Sequence, residues 1–321
     1  MVRPDSRTAY SAGHFELLID GHATTSYLKS VDGGWVKSTT ADSPMASYAT
    51  HVKQNTVWDI DPMSLEFGLA GAGEVLEWIQ KSWQNDPSRR SGQIAHADFN
   101  MNITYVHEFF EALVAETTFP ALDGAAKEAA YLKCKLQPER VVVTKATGNQ
   151  KVAGRVGAKQ KAWLPSSFRV NIDGIDEAKY INKVESFTIK QGVKKMYTGS
   201  ERFPQIIPTS ISFPNLVCTI AEGYATKLFE WHHDVAMKGS NEVRGQKTGS
   251  IEFLSPDRGD VLFTINLFEM SLNNLSIMQA SANADAIKRV KFELFVGRME
   301  LDVKGRGLET SGALSAGWGQ G

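Results

Sequence analysis

Residues 15–37, FELLIDGHATTSYLKSVDGGWVK, align without a gap with residues 168–190, FRVNIDGIDEAKYINKVESFTIK. Seven of the 23 aligned positions are identical, whereas ordinary residue frequencies give about one or two matches. The identical pairs are Phe15/Phe168, Ile19/Ile172, Asp20/Asp173, Gly21/Gly174, Tyr27/Tyr180, Val31/Val184 and Lys37/Lys190. Trp78 and Trp231 are separated by the same 153 residues as these two stretches. The sequence therefore predicts two copies of one domain.

Later matches indicate that the second copy is slightly longer. The segment from Ser91 to Ile94 matches residues 248–251 at a spacing of 157, and the segment from Lys133 to Leu136 matches residues 291–294 at 158. The predicted organisation is an N-terminal arm (1–13), a first domain (14–143), a basic linker (144–166), a second domain (167–303) and a Gly-rich C-terminal tail (304–321). Each domain then has an ordinary size for an independent core.

The first copy is predicted to contain several amphipathic strands and one helix. Asp20-Gly21 follows a strand-like run and is a strong hairpin signal. Apolar residues recur at helical spacing in residues 72–83, which predicts a helix. Alternation in residues 91–105 predicts one strand, and residues 132–143 predict a closing strand. Residues 38–56 are polar and poor in large apolar side chains, so we expect a long surface loop there.

The second copy repeats this order. Strands are expected to begin at Phe168 and Tyr180, and residues 191–215 read as a looser stretch containing Gly, Pro and Ser. A helix is expected near 222–237. The remaining strands are predicted at 248–254, 260–270 and 289–303. The expected fold class is mainly β.

The composition limits the class of protein. The chain has 321 residues, of which 42% are hydrophobic and 22% charged, with a formal net charge of −1 and two cysteines. These values are typical of a folded chain and exclude a fibrous or largely disordered one. Two cysteines do not make a secreted disulfide framework. No signal peptide and no apolar run of membrane-spanning length is seen, so we expect no membrane association.

Chemistry-bearing motifs are weak. His232 and His233 are adjacent, and on a helix their side chains point about 100° apart, which does not suit one metal ion. The run GLAGAG at 68–73 opens the predicted helix without the Lys-Ser/Thr of a phosphate-binding loop. We therefore expect no enzyme and no catalytic, metal-binding or cofactor-binding residues. The positively charged segment at 144–166 reads as a solvated tether, with docking to an acidic surface as the alternative.

The order of these motifs resembles the tail-tube protein family of contractile phages and related contractile injection systems, here in two tandem copies. An F-x-x-x-I-D-G strand and turn precedes a second strand, a long polar segment, a Trp-containing helix, an S-G-x-I strand and a closing strand preceded by F-P-A-L-D. In the second copy the last of these is replaced by residues 278–281, MQAS. The matching positions are Phe15, Ile19, Asp20, Gly21, Trp78, Ile79, Gly92, Ile94, Pro120, Leu122 and Asp123, then Phe168, Ile172, Asp173, Gly174, Trp231, Gly249 and Ile251.

The resemblance implies a β-barrel or sandwich with one flanking helix per unit, and units that join their sheets into a ring with a central channel. It implies a structural role in the inner tube or tube–baseplate hub, assembled in the bacterial cytoplasm as part of a virion tail or injection particle. Implied partners are further copies of the chain, neighbouring tube rings, sheath, and spike or baseplate proteins. No specific nucleic-acid binding is implied, although DNA or cargo passing through the lumen fits such a channel. It also places the polar segment where rings or sheath touch, so we expect assembly contacts at positions 42, 44, 45, 47 and 48, occupied by Asp42, Pro44, Met45, Ser47 and Tyr48.

Other readings remain open. A tandem β-rich adaptor that binds proteins without forming a ring is the main alternative, and a baseplate enzyme lacks a carboxylate pair that could be named. Three double-unit chains or six chains per ring both satisfy six-fold geometry, and the second unit could instead decorate the outside of a hexamer.

Overall fold

The computed structural model describes residues 13–25, 28–44, 51–69, 72–146, 150–152, 163–236, 246–278 and 287–303. Across these residues the chain is mainly β with two α-helices, which confirms the expected fold class. The first half contains β1 His14–Ile19, β2 His22–Thr25, β3 Leu28–Gly33, β4 Val36–Pro44, β5 His51–Ile60, β6 Met63–Phe67, α1 Gly73–Trp83, β7 Arg90–Ala97, β8 Ile103–Phe119, β9 Leu122–Asp123, β10 Leu132–Gln137 and β11 Arg140–Lys145.

The second half begins after a Trp163-containing segment. It contains β12 Phe168–Ile172, β13 Ile181–Val184, β14 Phe187–Met196, β15 Gln205–Ser212, β16 Leu216–Ala221, α2 Thr226–Ala236, β17 Lys247–Leu254, β18 Val261–Ile277 and β19 Arg289–Asp302. Two 3-10 turns lie at Asp176–Tyr180 and Glu222–Tyr224. The strand predicted to begin at Tyr180 therefore begins one residue later, after a short helical turn.

The two halves have the same strand order. In the first half the sheet runs β1-β7-β8-β10-β6-β3, and in the second half it runs β12-β17-β18-β19-β16-β13. The starts of β3 and β13, of β6 and β16, and of α1 and α2 are each 153 residues apart. The spacing found between identical residues is thus also the spacing between equivalent elements.

The strand predicted over 91–105 is wrong, because β7 and β8 are separated by a tight turn. The Asp98 carboxylate accepts hydrogen bonds from the backbone N–H groups of Asn100 and Asn102, at 2.8 and 2.9 Å. Such a side-chain bond offers the backbone an alternative to the strand ladder. The alternation of apolar residues continued across the turn and concealed it.

The single closing strand predicted at 132–143 is also wrong. Strand β10 ends at Gln137, and Pro138, which has no N–H to donate, separates it from β11. Strand β10 pairs with β6 and β8, whereas β11 pairs with a different part of β8, from Tyr105 to Phe110. In the second half β19 continues without interruption.

The polar segment predicted as a loop at 38–56 is a hairpin formed by β4 and β5. Its strands include Thr39, Thr40 and Thr56, which suit the extended backbone, and the Thr39 and Thr56 hydroxyls lie 3.0 Å apart across the pair. Large apolar residues are few because the described positions of the hairpin before Ile60 lie outside the core. The looser stretch predicted at 191–215 is the corresponding hairpin, β14–β15.

One apolar core runs through both halves. Phe119 of β8 packs near Phe253 and Phe263 of the second half, with ring centroids 5.7 and 6.2 Å apart. Trp163, in the segment expected to be a linker, is buried with its ring 5.5 Å from Phe253. Helix α1 packs against β19 of the second half. The halves are therefore joined by core packing and not by a tether alone.

Candidate assembly interface

A strand of the second half extends the sheet of the first. Strand β14 pairs antiparallel with the end of β8, in the register Phe187↔Phe119, Thr188↔Thr118, Ile189↔Thr117 and Lys190↔Glu116. Because β14 also pairs with β15, the whole hairpin is added to the first sheet. We call this pairing of β14 with β8 the internal joint.

The internal joint combines apolar packing with specific polar contacts. The Phe119 and Phe187 rings stack with centroids 5.1 Å apart, and both side chains are buried. The Thr118 and Thr188 hydroxyl oxygens lie 2.8 Å apart, and the Ser186 hydroxyl donates to the Phe119 carbonyl at 2.8 Å. Burying one large apolar side chain contributes about 1.5–3 kcal/mol. The joint therefore combines main-chain pairing with substantial apolar burial.

The second sheet is extended in the same way. Strand β9 of the first half pairs with β13, with Leu122 opposite Val184 and Asp123 opposite Lys183. The Gly124 N–H donates to the Asn182 carbonyl at 2.9 Å. The Pro-Ala-Leu-Asp segment of the first copy thus lies at the contact between the halves.

Charged groups hold the hairpin of the second half against the first half. The Lys195 ammonium lies 2.6 and 2.7 Å from the two carboxylate oxygens of Asp59 on β5. Glu139 accepts a hydrogen bond from the Ile206 N–H at 2.8 Å and pairs with Arg89. The two hairpins, β4–β5 and β14–β15, therefore lie side by side.

The elements that correspond to the internal joint at the other side of each half have one edge without a partner strand among the described residues. Positions 34–37 of the first hairpin match 187–190, and positions 274–277 of β18 match 116–119. Within the described residues, β4 pairs only with β5, and the last residues of β18 pair only with β19. Side chains that are buried at the internal joint have exposed counterparts here: Ile189 is 2% exposed and Val36 41%, and Phe119 is 0% exposed and Ile277 55%.

The family-motif residues of the strand-turn and S-G-x-I segments lie elsewhere, along the first two strands of each sheet. Phe15 and Ile19 of β1 lie opposite His96 and Gly92 of β7, and Ile94 lies opposite Leu17. Phe168 and Ile172 of β12 lie opposite Phe253 and Gly249 of β17, where Ile251 also lies. The Asp20 N–H donates to the Ser91 carbonyl and the Asp173 N–H to the Thr248 carbonyl, each at 2.9 Å. These residues therefore position the strands and do not form a joint.

Two glycines permit close strand approach at matching places. A Cβ on Gly92 would clash with the Leu18 carbonyl oxygen, and a Cβ on Gly249 would clash with the Asn171 carbonyl oxygen. Leu18 and Asn171 are themselves 153 residues apart. Gly21 and Gly174 have φ of 81° and 74°, a left-handed conformation that glycine adopts without strain. Steric constraints thus explain why these four motif positions are occupied by glycine.

The helical tryptophans are buried. The Trp78 indole N–H donates to the Ser88 carbonyl at 2.7 Å, and the Lys247 ammonium lies 5.7 Å from the centre of the Trp231 ring. Both helices pack on the second sheet, α1 on β19 and α2 on β18. No group of three metal-ligating side chains occurs among the described residues, which include His232 and His233. No helix in the described part of the chain has the length and apolar content to span a membrane.

Most of the positions proposed for assembly contacts cannot be placed. Asp42 is an exposed residue of β4, and Pro44 is the last residue of that strand. Met45, Ser47 and Tyr48 lie outside the described residues, as do the N-terminal arm up to residue 12, most of the linker and the tail from residue 304.

Two histidines lie at the base of the first hairpin. The His107 ring nitrogen Nε2 lies 2.9 Å from the Gly34 carbonyl oxygen, and its ring lies against Trp35 with centroids 5.0 Å apart. Burial lowers the pKa of His107, and the Gly34 hydrogen bond opposes this. Burial, and then the neighbouring His107, lower the pKa of His96 to about 4. At neutral pH both rings are therefore uncharged, which suits their apolar surroundings.

No known family profile and no curated protein sequence matches the chain. Among solved structures, the chain is similar to a protein of the PVC sheath–tube complex of an extracellular contractile injection system, with 19% identity and a TM-score of 0.35 over 42% of this chain and 88% of that chain. It is also similar to a protein of the PVC sheath/tube terminator, with 16% identity and a TM-score of 0.39 over 43% and 99%. Hcp1 from Flavobacterium johnsoniae has 15% identity and a TM-score of 0.26 over 43% and 96%.

Sequence reasoning missed the residues of the internal joint. The segment Phe187–Lys190 was included in the repeat because it aligns with residues 34–37, but nothing in its alternation distinguished a joint strand from an ordinary core strand. One signal was present: F-P-A-L-D occurs in the first copy only. This motif, which is present in the first copy and absent from the second, contributes β9 to the contact between the halves.

Proposed function

We propose that this protein is a structural component of the inner tube or tube–baseplate hub of a contractile phage tail or injection system. In this proposal the chain consists of two tandem tail-tube-like units, and copies of it form a ring around a channel. The role is assembly, without catalysis or a cofactor.

The observation that carries the proposal is the internal joint. Two units with the same strand order are connected by main-chain pairing that continues the sheets from one unit into the next. A sheet edge left open attracts another strand, and closure of a ring removes such edges. The chain thus contains one unit-to-unit contact of the kind that a ring repeats, and within the described residues β4 and the end of β18 each have one edge without a partner strand.

Three chains per ring are the form we favour over six. Because both units contribute the same six strands in the same order, both can occupy equivalent places in one ring. A three-fold ring with approximate six-fold symmetry suits a position where a three-fold spike meets a six-fold tube. Neighbouring tube rings, sheath, and spike or baseplate proteins are the proposed partners, and the bacterial cytoplasm is the proposed place of assembly.

The runner-up is an adaptor with two β-rich units that binds other proteins as a monomer. The exposed Trp35, Val36 and Ile277 side chains support binding of some protein surface under either proposal. The mass of the purified particle and its image by electron microscopy separate the two. Closed rings of three chains, or of six, support the tube or hub component, whereas a monomer at tens of micromolar protein contradicts it.

A further inference from the structure

We propose that residues 35–37 of one copy pair antiparallel with residues 274–276 of a second copy, and that this pairing, the external joint, connects the chains head to tail. The proposal rests on the proposed function and adds the contact surface and its register. The occupant of each open edge is the matching element of another copy of this chain.

The register comes from the internal joint. The pair Lys37↔Asp59 within the first hairpin matches Lys190↔Ser212 within the second, so the two hairpins have equivalent registers as well as sequences. From Val36 onward, β4 is therefore aligned residue for residue with β14, and Trp35 directly precedes it.

The receiving strand is aligned equally well. Strand β8 bulges at Ala115, between the pairs Val114↔Leu136 and Glu116↔Lys135. Strand β18 bulges at Asn273, between Leu272↔Leu294 and Asn274↔Glu293. Each residue of the second set lies 158 positions after its counterpart, so the residues after the bulge correspond without ambiguity.

Transferring the register gives three cross-chain pairs: Trp35↔Ser276, Val36↔Leu275 and Lys37↔Asn274. The fourth position, Gly34, stays outside the pairing, because it is buried, has a φ of 76° and bonds to His107 through its carbonyl oxygen. The pairs are chemically compatible. Val36 meets Leu275 where Ile189 meets Thr117, so two apolar side chains face each other. No like charges lie opposite each other.

Exposure supports the same surfaces. Trp35 is 49% exposed, and it is next to the exposed Val36, whereas the matching positions Thr188 and Ile189 are partly or fully buried. Ile277, the last residue of β18, and Met278 directly after it are both exposed. Apolar side chains next to an unpaired strand edge are the usual signs of a site for an added strand.

The external joint is weaker than the internal joint by two contacts. The positions that match Lys195 and Asp59 are Asp42 and Ser212, which do not form that ion pair. The second copy also has no Pro-x-Leu-Asp segment to act as β9 does. Contacts between chains thus form and separate more readily than the contact within the chain. Because donor and acceptor are different surfaces, each copy binds two others, and the assembly closes into a ring or extends.

Cysteine crosslinking tests the register. The hydroxyls of Thr118 and Thr188 are in contact, so cysteines at the matching positions, Trp35→Cys with Ser276→Cys in one chain, are placed to form a disulfide between copies. The native Cys134 and Cys218 do not interfere, since both are buried and burial raises the pKa of each thiol to about 12. We expect disulfide-linked multimers on a non-reducing gel after mild oxidation.

Two matched variants serve as controls. Thr118→Cys with Thr188→Cys should form the disulfide within one chain, giving loss of free thiols without a multimer. Trp35→Cys with Ile277→Cys moves the second cysteine by one residue to the opposite face of the strand and should give few multimers. Where the Trp35→Cys variants do not fold, Val36→Cys with Leu275→Cys tests the neighbouring pair.

The outcomes separate the two proposals. Multimers from the in-register pair, and few from the shifted pair, support the external joint. Rings that form without in-register crosslinks, while the Thr118/Thr188 control oxidises, overturn the external joint and leave the tube role standing. A monomer without crosslinks overturns both.

Discussion

The two hairpins of this chain have the same register but different surroundings. Hairpin β14–β15 is paired with β8, and Phe187 and Ile189 at its start are buried. Hairpin β4–β5 forms a separate two-stranded sheet, and Trp35 and Val36 at its start are exposed. An isolated two-stranded hairpin is marginally stable in water. The comparison indicates that the local sequence forms the hairpin, whereas the neighbouring sheet edge determines how much of it is buried.

The largest expected effect is at the internal joint. Phe119→Ala removes a fully buried ring that contacts Phe187, Trp83 and Phe253. We expect a loss of about 3–5 kcal/mol in the free energy of unfolding, measured by denaturant titration. Ile277→Ala, at the matching but exposed position, should change the unfolding of the isolated chain by less than about 0.5 kcal/mol. Equal losses at the two positions would refute the difference between the joints.

A charge on the free hairpin separates assembly from folding. Val36→Asp places a carboxylate where the external joint would bury it, so we expect association between chains to weaken by at least about tenfold, because an unpaired buried charge is costly. The melting temperature of the isolated chain should be nearly unchanged. Val143→Asp, at a valine of similar exposure on β11, is the control. Analytical ultracentrifugation measures the association of both variants, and thermal unfolding measures their melting temperatures. Equal weakening of association by the control would contradict the prediction.

Acid should lower the stability of the first half, where His96 and His107 lie next to hairpin β4–β5, and should not act in this way at hairpin β14–β15. Because the folded-state pKa of His96 is about 4 and that of His107 is also lowered, the unfolded chain binds more protons below about pH 6.5. Stability is therefore fully present above that pH and is lost as the pH falls toward 4. Allowing for solvent screening, we expect a loss of about 1–2 kcal/mol between pH 7 and pH 5.

The acid effect has a specific control. His96→Asn should flatten this part of the stability–pH profile, as measured by denaturant unfolding at each pH. The position that matches His107 in the second half is Ile265, so hairpin β14–β15 has no histidine at the equivalent place. An unchanged profile in His96→Asn would show that other groups cause the acid sensitivity.

The smallest effect is expected at the ion pair between the hairpins. Lys195→Met removes the contact with Asp59, and because both side chains are partly exposed we expect a loss of up to about 1 kcal/mol. Added salt should lower the stability of the wild type and change the variant less. Thermal unfolding at two ionic strengths measures this, and an equal response to salt would exclude the pair as a contributor.

The elements with strong local signals were predictable from the sequence. The helix around Trp78 has apolar residues at helical spacing, and the Asp20-Gly21 turn has the residues that a left-handed backbone needs. The repeat also predicted equivalent elements, because identical residues such as Lys37 and Lys190 lie at equivalent positions of the two hairpins.

The remaining errors have physical causes. The turn at Asp98 depends on a side-chain hydrogen bond that leaves the alternation of apolar residues intact. The first hairpin was predicted as a loop because its strands carry few large apolar residues. Its strands pair only with each other within the described residues, so most of its side chains are not buried, although its backbone forms a regular hairpin. The internal joint was missed because pairing between β8 and β14 depends on residues about 70 positions apart, and no local pattern reports such a contact.

The central claim is that β4 of one copy pairs with the end of β18 of another copy, in the same way as β14 pairs with β8 within the chain. Native mass spectrometry of the wild type beside Val36→Asp tests this most directly. The account predicts a closed assembly of three wild-type chains, and single folded chains for the variant. A wild type that stays monomeric, or a variant that assembles as the wild type does, would contradict it.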